Sequence, residues 1–269
     1  MTLAAAMADL NFMNDQIIGL QDWLGSPPGQ YLLAWERQQF DVAVADVFGF
    51  HALQLGLPEI DALAANRMPH RWLACPAPQT GADLVTEFSA LPFPANSLDL
   101  VVLPHALELS PDPHATLREV ERVLVPEGRA IITGLNPLSL WGLRQRRVRI
   151  YRRLGWAQSF LPQDELIGYL RLRDWVRLLG FEVEIGRFGC YRPALQSWGW
   201  LERMDWMDRA GARWWPIFGA AYFLVAVKRV RGVTLLSPTW KAARAPQRAP
   251  VSVANSAAAT GPKELKDEN

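Results

Sequence analysis

Residues able to exchange a proton cluster at the end of one apolar run. Leu98, Leu100, Val101, Val102 and Leu103 read as a strand buried on both faces, and the segment continues into Pro104, His105, Ala106, Leu107 and Glu108. An imidazole with an ordinary pKa of about 6.5 accepts a proton near neutral pH, so His105 is the candidate catalytic base. Open α/β sheets bind ligands beyond the carboxyl ends of their strands, which is where this run delivers His105. The competing reading of His105 is a hydrogen bond to the loop that follows. Glu108 is placed to hold the next helix start or to touch a ligand. Asp99, at the opposite end of the strand, has a structural role.

A second set of polar residues follows the next apolar run. Asn136 and Ser139 would face the same end of a sheet, and Asn136 is a candidate contact for a substrate amide or carboxylate. Its alternative is an Asn-Pro turn with Pro137. Arg144, Arg146, Arg147, Arg149, Arg152 and Arg153 then form a local cationic stretch beside Trp141, Tyr151 and Trp156. A guanidinium fork holds phosphate or carboxylate in two parallel bonds, which makes Arg146 and Arg147 candidate substrate contacts. A solvated lid helix is the preferred reading of the stretch as a whole. His51 precedes the first strand and His114 sits at the helix start after the run that ends at His105, so neither converges with His105 and no metal site is expected.

These residues need elements to position them. Pro111, Asp112 and Pro113 suit a helix start, and Leu117, Val120, Val123 and Leu124 recur at helical spacing. Pro126-Glu127-Gly128 breaks that helix, and Arg129 to Gly134 reads as the next strand, which gives a right-handed βαβ unit and a parallel sheet. Upstream, Leu32, Leu33, Trp35, Phe40, Val44 and Val47 predict a helix before the first strand. Residues 1–29 read as a loosely attached N-terminal extension with one short helix, closed by Gly25-Ser26-Pro27-Pro28-Gly29 and placed to cap the site. Residues 30–237 form the main domain. Residues 238–269 mix Ala, Pro, Ser, Lys and Arg without apolar periodicity, as a disordered tail does.

Composition narrows the class. The chain has 269 residues, half of them hydrophobic, which suits one sheet domain with extensions. The 28 Lys and Arg against 27 Asp and Glu give a net charge of +1 and no global reason to expect nucleic acid. Cys75 and Cys190 have no metal spacing and form no disulfide framework, which points to buried thiols in a reducing cytoplasm. No apolar run approaches the ~18 residues of a membrane span, and no signal peptide is expected. Five of the 12 tryptophans, Trp198, Trp200, Trp206, Trp214 and Trp215, fall in one region. Packing of that region onto the core is the first reading, and an apolar pocket or partner surface the second.

Leu91 to Asn136 resembles the second half of class I S-adenosylmethionine-dependent methyltransferases of the broad type 11 group. The resemblance rests on Leu91-Pro92-Phe93, Asp99, His105-Ala106-Leu107-Glu108, Pro111-Asp112-Pro113 and Leu117 to Arg129, with Glu127-Gly128 in place of a glycine pair. Gly134-Leu135-Asn136-Pro137 to Arg144 is similar to a narrower bacterial branch. Leu172 to Val183 and Ala221 to Arg229 resemble the last helix, the sixth strand and the antiparallel seventh, so the likeness covers roughly residues 40–230.

The resemblance implies a Rossmann-like α/β fold, a mostly parallel seven-stranded sheet with an antiparallel last strand and helices on both faces. It also implies S-adenosylmethionine as cofactor. The family's first loop carries an acid and three alternate glycines, whereas here Gln54 replaces the acid, Gly56 matches the first glycine, Leu57 follows, and Pro58 replaces the second. A glutamine lacks the charge assistance that about doubles a hydrogen bond, so weaker cofactor binding is expected. The ribose acid after the second strand has no counterpart near Cys75-Pro76. Glu87 matches the family's adenine-contacting acid, with Phe88 and Ser89 beside it, and His105 completes the cofactor set.

The leading expectation is methyl transfer to an unidentified acceptor. The alternative is an inactive methyltransferase-like binding module that presents its arginine and tryptophan surfaces. A third reading, weaker than both, gives the arginine stretch to RNA or anionic lipid.

Overall fold

The computed structural model describes residues 19–153 and 166–229, and the side chains of all of these except 149–153. Seven apolar segments become strands: β1 (His51–Leu55), β2 (His70–Cys75), β3 (Leu84–Val85), β4 (Leu98–Pro104), β5 (Leu124–Leu135), β6 (Phe181–Gly189) and β7 (Ala221–Lys228). They form one sheet in the order β3-β2-β1-β4-β5-β7-β6. β1 to β5 run parallel, and β7 runs antiparallel to both of its neighbours. The order reverses between β1 and β4, and the carboxyl ends of these two strands therefore border the crevice such sheets offer to ligands. This is the Rossmann-like architecture that the resemblance implies.

Alternation along the strands divides the core into two layers. Ala52, Leu100, Val102, Ile131, Phe223 and Val225 pack with α1 (Pro27–Ala45), which buries Leu32, Leu33, Phe40 and Val44. Leu53, Val101, Leu103, Ile132 and Leu224 pack on the other face with α3 (Pro113–Val123) and α5 (Tyr169–Leu178). Between these lie the short α2 (Ala106–Leu109) and α4 (Leu140–Arg153). The β6–β7 connection carries α6 (Trp198–Arg203), α7 (Trp206–Trp214) and a 3-10 turn at Pro216–Phe218. Helix starts follow capping chemistry: Ser26 accepts from the Gly29 amide and Asp112 from the Ala115 amide, each with proline in the first turn.

Three sequence expectations change. Residues 19–24 are helical, and Leu20 and Leu24 are fully buried in the α1 layer, so this part of the N-terminal extension is packed rather than loose. Gly29 permits that packing, because a Cβ there would press into the backbone of Trp23 and Leu24. Second, α3 ends at Val123 and Leu124 already belongs to β5. The ladder pairs Leu98 with Leu124 and then Leu100 with Arg129, so Pro126-Glu127-Gly128 bulges out of a strand instead of separating two elements. Burial of Leu124 decides this, drawing the chain into the sheet before the turn residues. Third, His51 opens β1 rather than preceding it. The expected tail, residues 238–269, lies outside the described residues, as do the side chains of Arg149, Tyr151, Arg152, Arg153 and Trp156.

Candidate active site

The turn after β1 is closed by its own side chain. Gly56 and Leu57 both take left-handed backbone angles, φ +74° and +44°, and the Gly56 amide donates to the Ala74 carbonyl at 2.8 Å. Gln54, buried beneath them, donates through Nε2 to the carbonyls of Gly56, Leu57 and Ile60 at 3.1, 3.0 and 2.6 Å. Its Oε1 accepts from the Ala62 amide at 3.0 Å. The whole amide is therefore engaged in folding residues 56–62, and Gln54 is not free to receive a ligand's ammonium group. The Leu57 side chain is buried as well, so at Gly56 and Leu57 this loop presents backbone.

Beyond the end of β3, Phe88 is a core residue, and a Cβ at Gly56 would sit 3.4 Å from its ring. This contact places Glu87 and Ser89 beside the Gly56 turn. Glu87 is half-buried, its carboxylate has no hydrogen-bond or ion-pair partner among the described residues, and Ser89 is exposed. These two remain available to a ligand beside the Gly56 turn. A polar cavity of about 380 Å³, lined in part by Pro58, Asp61, Arg71, Thr80 and Asp83, lies beside the same loop toward the β2–β3 connection.

His105 follows β4 in a left-handed conformation (φ 53°) and is completely buried. Its Nδ1 lies 2.9 Å from Glu108 Oε2 and its Nε2 2.8 Å from Glu36 Oε1 on α1. Burial works against a charge on the ring, but the Glu36 carboxylate and the hydrogen bonds to Glu108 and Glu36 outweigh it and push the pKa up to about 10. Burial likewise raises the Glu108 carboxyl, as expected where two carboxylates share one imidazolium. Glu108 Oε1 also accepts from the Leu135 amide at 2.8 Å. A ring charged at neutral pH, with both N–H groups donated inward, has no lone pair for a substrate proton. His105 thus clamps α1, α2 and β5 together, with both ring nitrogens engaged by Glu36 and Glu108.

Asn136 is also turned inward. Its Nδ2 donates to the carbonyls of Ile217 and Gly219 at 2.7 and 2.9 Å, and its Oδ1 accepts from the Leu138 amide at 3.1 Å. The substrate contact expected of this amide gives way to a tie between the end of β5 and the β6–β7 connection. Ser139 completes the turn, donating to the Asn136 carbonyl at 2.6 Å. That connection is anchored again where Asp208 meets Tyr31 of α1 and the Arg192 guanidinium, the latter at 2.8 Å. Near these ties lies an apolar cavity of about 390 Å³ lined by Leu138, Leu140, Leu143, Tyr191, Met207, Trp215 and Phe218. Tyr191 donates to the Pro216 carbonyl at 2.7 Å, and burial pushes its pKa up to about 12, so it stays protonated. Arg146 and Arg147 are exposed one turn beyond Leu143.

Sequence reasoning missed Glu36, although a carboxylate between Leu32 and Phe40 on an apolar helix face was a signal. Nothing local announces the meeting of Tyr31, Arg192 and Asp208. The tryptophans also differ from their first reading. Among the described residues Trp141 is the tryptophan buried in the core, with Nε1 donating to the Arg192 carbonyl at 2.7 Å, whereas the five of the β6–β7 connection are exposed.

Comparison with known proteins shows what this chain is similar to. Residues 25–132 match the family model Methyltransf_11, described as a methyltransferase domain. The uncharacterized protein YafS of Escherichia coli K12 is 34% identical over 166 residues, 60% of this chain and 65% of that protein. The biotin biosynthesis bifunctional protein BioHC of Saccharophagus degradans is 29% identical over 161 residues, 57% of this chain and 28% of that protein. The chain thus spans less than two thirds of either relative. A crystal structure of a SAM-dependent methyltransferase from Thermotoga maritima, a possible histamine N-methyltransferase, shares the fold with a TM-score of 0.51 at 14% identity, covering 74% of this chain and 92% of that one.

Proposed function

We propose, from the type 11-like methyltransferase domain that this chain carries, that the protein transfers a methyl group from S-adenosylmethionine to an acceptor held beyond the ends of β4 and β5. The observation that carries this reading is the unpartnered, half-buried Glu87 carboxylate beside the left-handed Gly56 turn, at the β1–β4 switch point. Glu87 and Ser89 would hold the adenosine end of the cofactor, and the Gly56–Leu57 backbone would lie against its methionine end. Bound there, S-adenosylmethionine supplies an electrophilic methyl group on a sulfonium. The fit is good for adenosine and poorer for methionine, because the Gln54 amide is engaged by its own loop.

The chain's remaining work is positioning. The apolar cavity beside Asn136 would seat the acceptor, and Arg146 and Arg147 would meet an anionic group on it. Tyr191 keeps its proton and His105 has no free lone pair, so the acceptor brings its own lone pair or releases its proton to water. Residues 19–229 would form the catalytic unit in a cytoplasmic protein, consistent with the free buried thiols of Cys75 and Cys190. Among the described residues no helix is long and apolar enough to cross a membrane.

The internal bonding of Gln54 and His105 favours a second reading, a methyltransferase-like module that binds a partner without transferring a methyl group. Calorimetric titration of the full chain with S-adenosylmethionine and S-adenosylhomocysteine separates the two. Methyl transfer requires micromolar binding that Glu87→Ala abolishes, with about 2.7 kcal/mol of added stability at 100 times Kd. No binding at millimolar ligand leaves the module.

A further inference from the structure

The β6–β7 connection holds its aromatic residues in solvent. Trp198, Trp200, Trp206, Trp214 and Trp215 are 52, 52, 57, 75 and 41% exposed, and Ile217 and Phe218 extend the same stretch. Across from them, Leu138, Leu140 and Leu143 are each about half exposed at the start of α4. The two segments meet where Leu138, Leu140 and Leu143 share the 390 Å³ cavity with Met207, Trp215 and Phe218. An apolar face of this extent is rarely left to water in a soluble protein.

Its charges have one dominant sign. Arg146 and Arg147 are exposed beyond Leu143, and Arg203, Arg209 and Arg213 are exposed on the connection. The Arg203 guanidinium lies over the Trp200 ring at 5.2 Å. Of the carboxylates between β6 and β7, Asp205 and Asp208 are both engaged by Arg192, which leaves Glu202 against five arginines.

We infer that this face binds the surface of an anionic lipid bilayer. Indole rings settle at the headgroup level, where one edge is wet and the other apolar, and guanidinium groups meet lipid phosphates. Leucine, isoleucine and methionine side chains gain from hydrocarbon and offer nothing to a stacked base, which favours lipid over RNA. The cavity, lined by aliphatic and aromatic side chains and opening on this face, has room for a stretch of one acyl chain. The protein would lie on the membrane rather than in it, since among the described residues no helix can span. None of this depends on methyl transfer.

The test uses the full chain with vesicles of phosphatidylcholine alone and of phosphatidylcholine mixed with phosphatidylglycerol. Expected are co-sedimentation with the mixed vesicles that weakens with salt, a blue-shifted tryptophan emission, and quenching by brominated acyl chains. The pairs Trp206→Ser with Trp214→Ser and Arg146→Gln with Arg147→Gln should each lower partitioning about tenfold or more with unchanged melting temperature. If one pair shifts the melting temperature, the other decides. Absence of binding to anionic vesicles, equal binding by the variants, or RNA binding in place of vesicle binding overturns the inference. Because cofactor titration reads a different site, failure here leaves methyl transfer standing, and the reverse holds.

Discussion

His105 gathers two carboxylates around one imidazolium, and that arrangement has a defined dependence on pH. Its pKa rises from about 6.5 in an unfolded chain to about 10 in the native cluster. A raised folded value means the contribution to stability is full below about pH 6.5 and is lost as pH climbs through about 10. The melting temperature of the native protein should therefore fall between pH 7 and 10, and His105→Gln should flatten that fall. At neutral pH the same variant should cost about 3–5 kcal/mol, since Glu36 and Glu108 lose their counter-charge in a dry site. The Gln54 position carries a second prediction. Gln54→Glu restores the family's acid but sets a carboxylate against the carbonyl oxygens of Gly56, Leu57 and Ile60. It should lower stability by about 1–3 kcal/mol in thermal melts and bring no gain in cofactor affinity by calorimetry. Both residues were legible as site residues because their types and positions at strand ends are sequence properties. Their engagement was not, because the partners that occupy them include Glu36, 69 residues away, and carbonyls of a folded turn.

At the scale of elements, Asn136 joins the end of β5 to the β6–β7 connection through two carbonyls, 81 and 83 residues away. Asn136→Ala leaves both carbonyls without that donor and should destabilise by about 1–3 kcal/mol. Limited proteolysis should then cut residues 190–220 faster than in the native chain, while the sheet keeps its far-ultraviolet signal. An unchanged cleavage rate would show that Asp208, Tyr31 and Arg192 suffice to hold the connection. Element types were readable where period and caps agreed, as in α3, whose Asp112 cap and Leu117, Val120 and Val123 spacing need only local sequence. The end of α3 was not readable. Pro126-Glu127-Gly128 signals a break by local rules, yet the strand begins before it, because pairing of Leu124 with Leu98 outweighs turn preference.

For the molecule as a whole, one sheet reverses its order between β1 and β4, where such sheets bind ligands, and carries aromatic and arginine side chains exposed on the β6–β7 connection. If methyl transfer and membrane binding both hold, vesicles should raise the rate with an acceptor bearing an acyl chain and not with a water-soluble one of the same reacting group. The sequence by itself determined the alternation of strands and helices and the mostly parallel sheet, because hydrophobic period, proline and capping residues act over a few positions. It also determined that the first loop lacks two of the family's glycines and its acid. Tertiary structure decided which polar groups are free. Gln54, His105 and Asn136 fill their hydrogen bonds inward, Glu87 does not, and five tryptophans expected to pack onto the core stand in solvent. The physical reason is that a buried polar group must find a partner wherever the fold brings one, and distance along the chain places no limit on which partner that is.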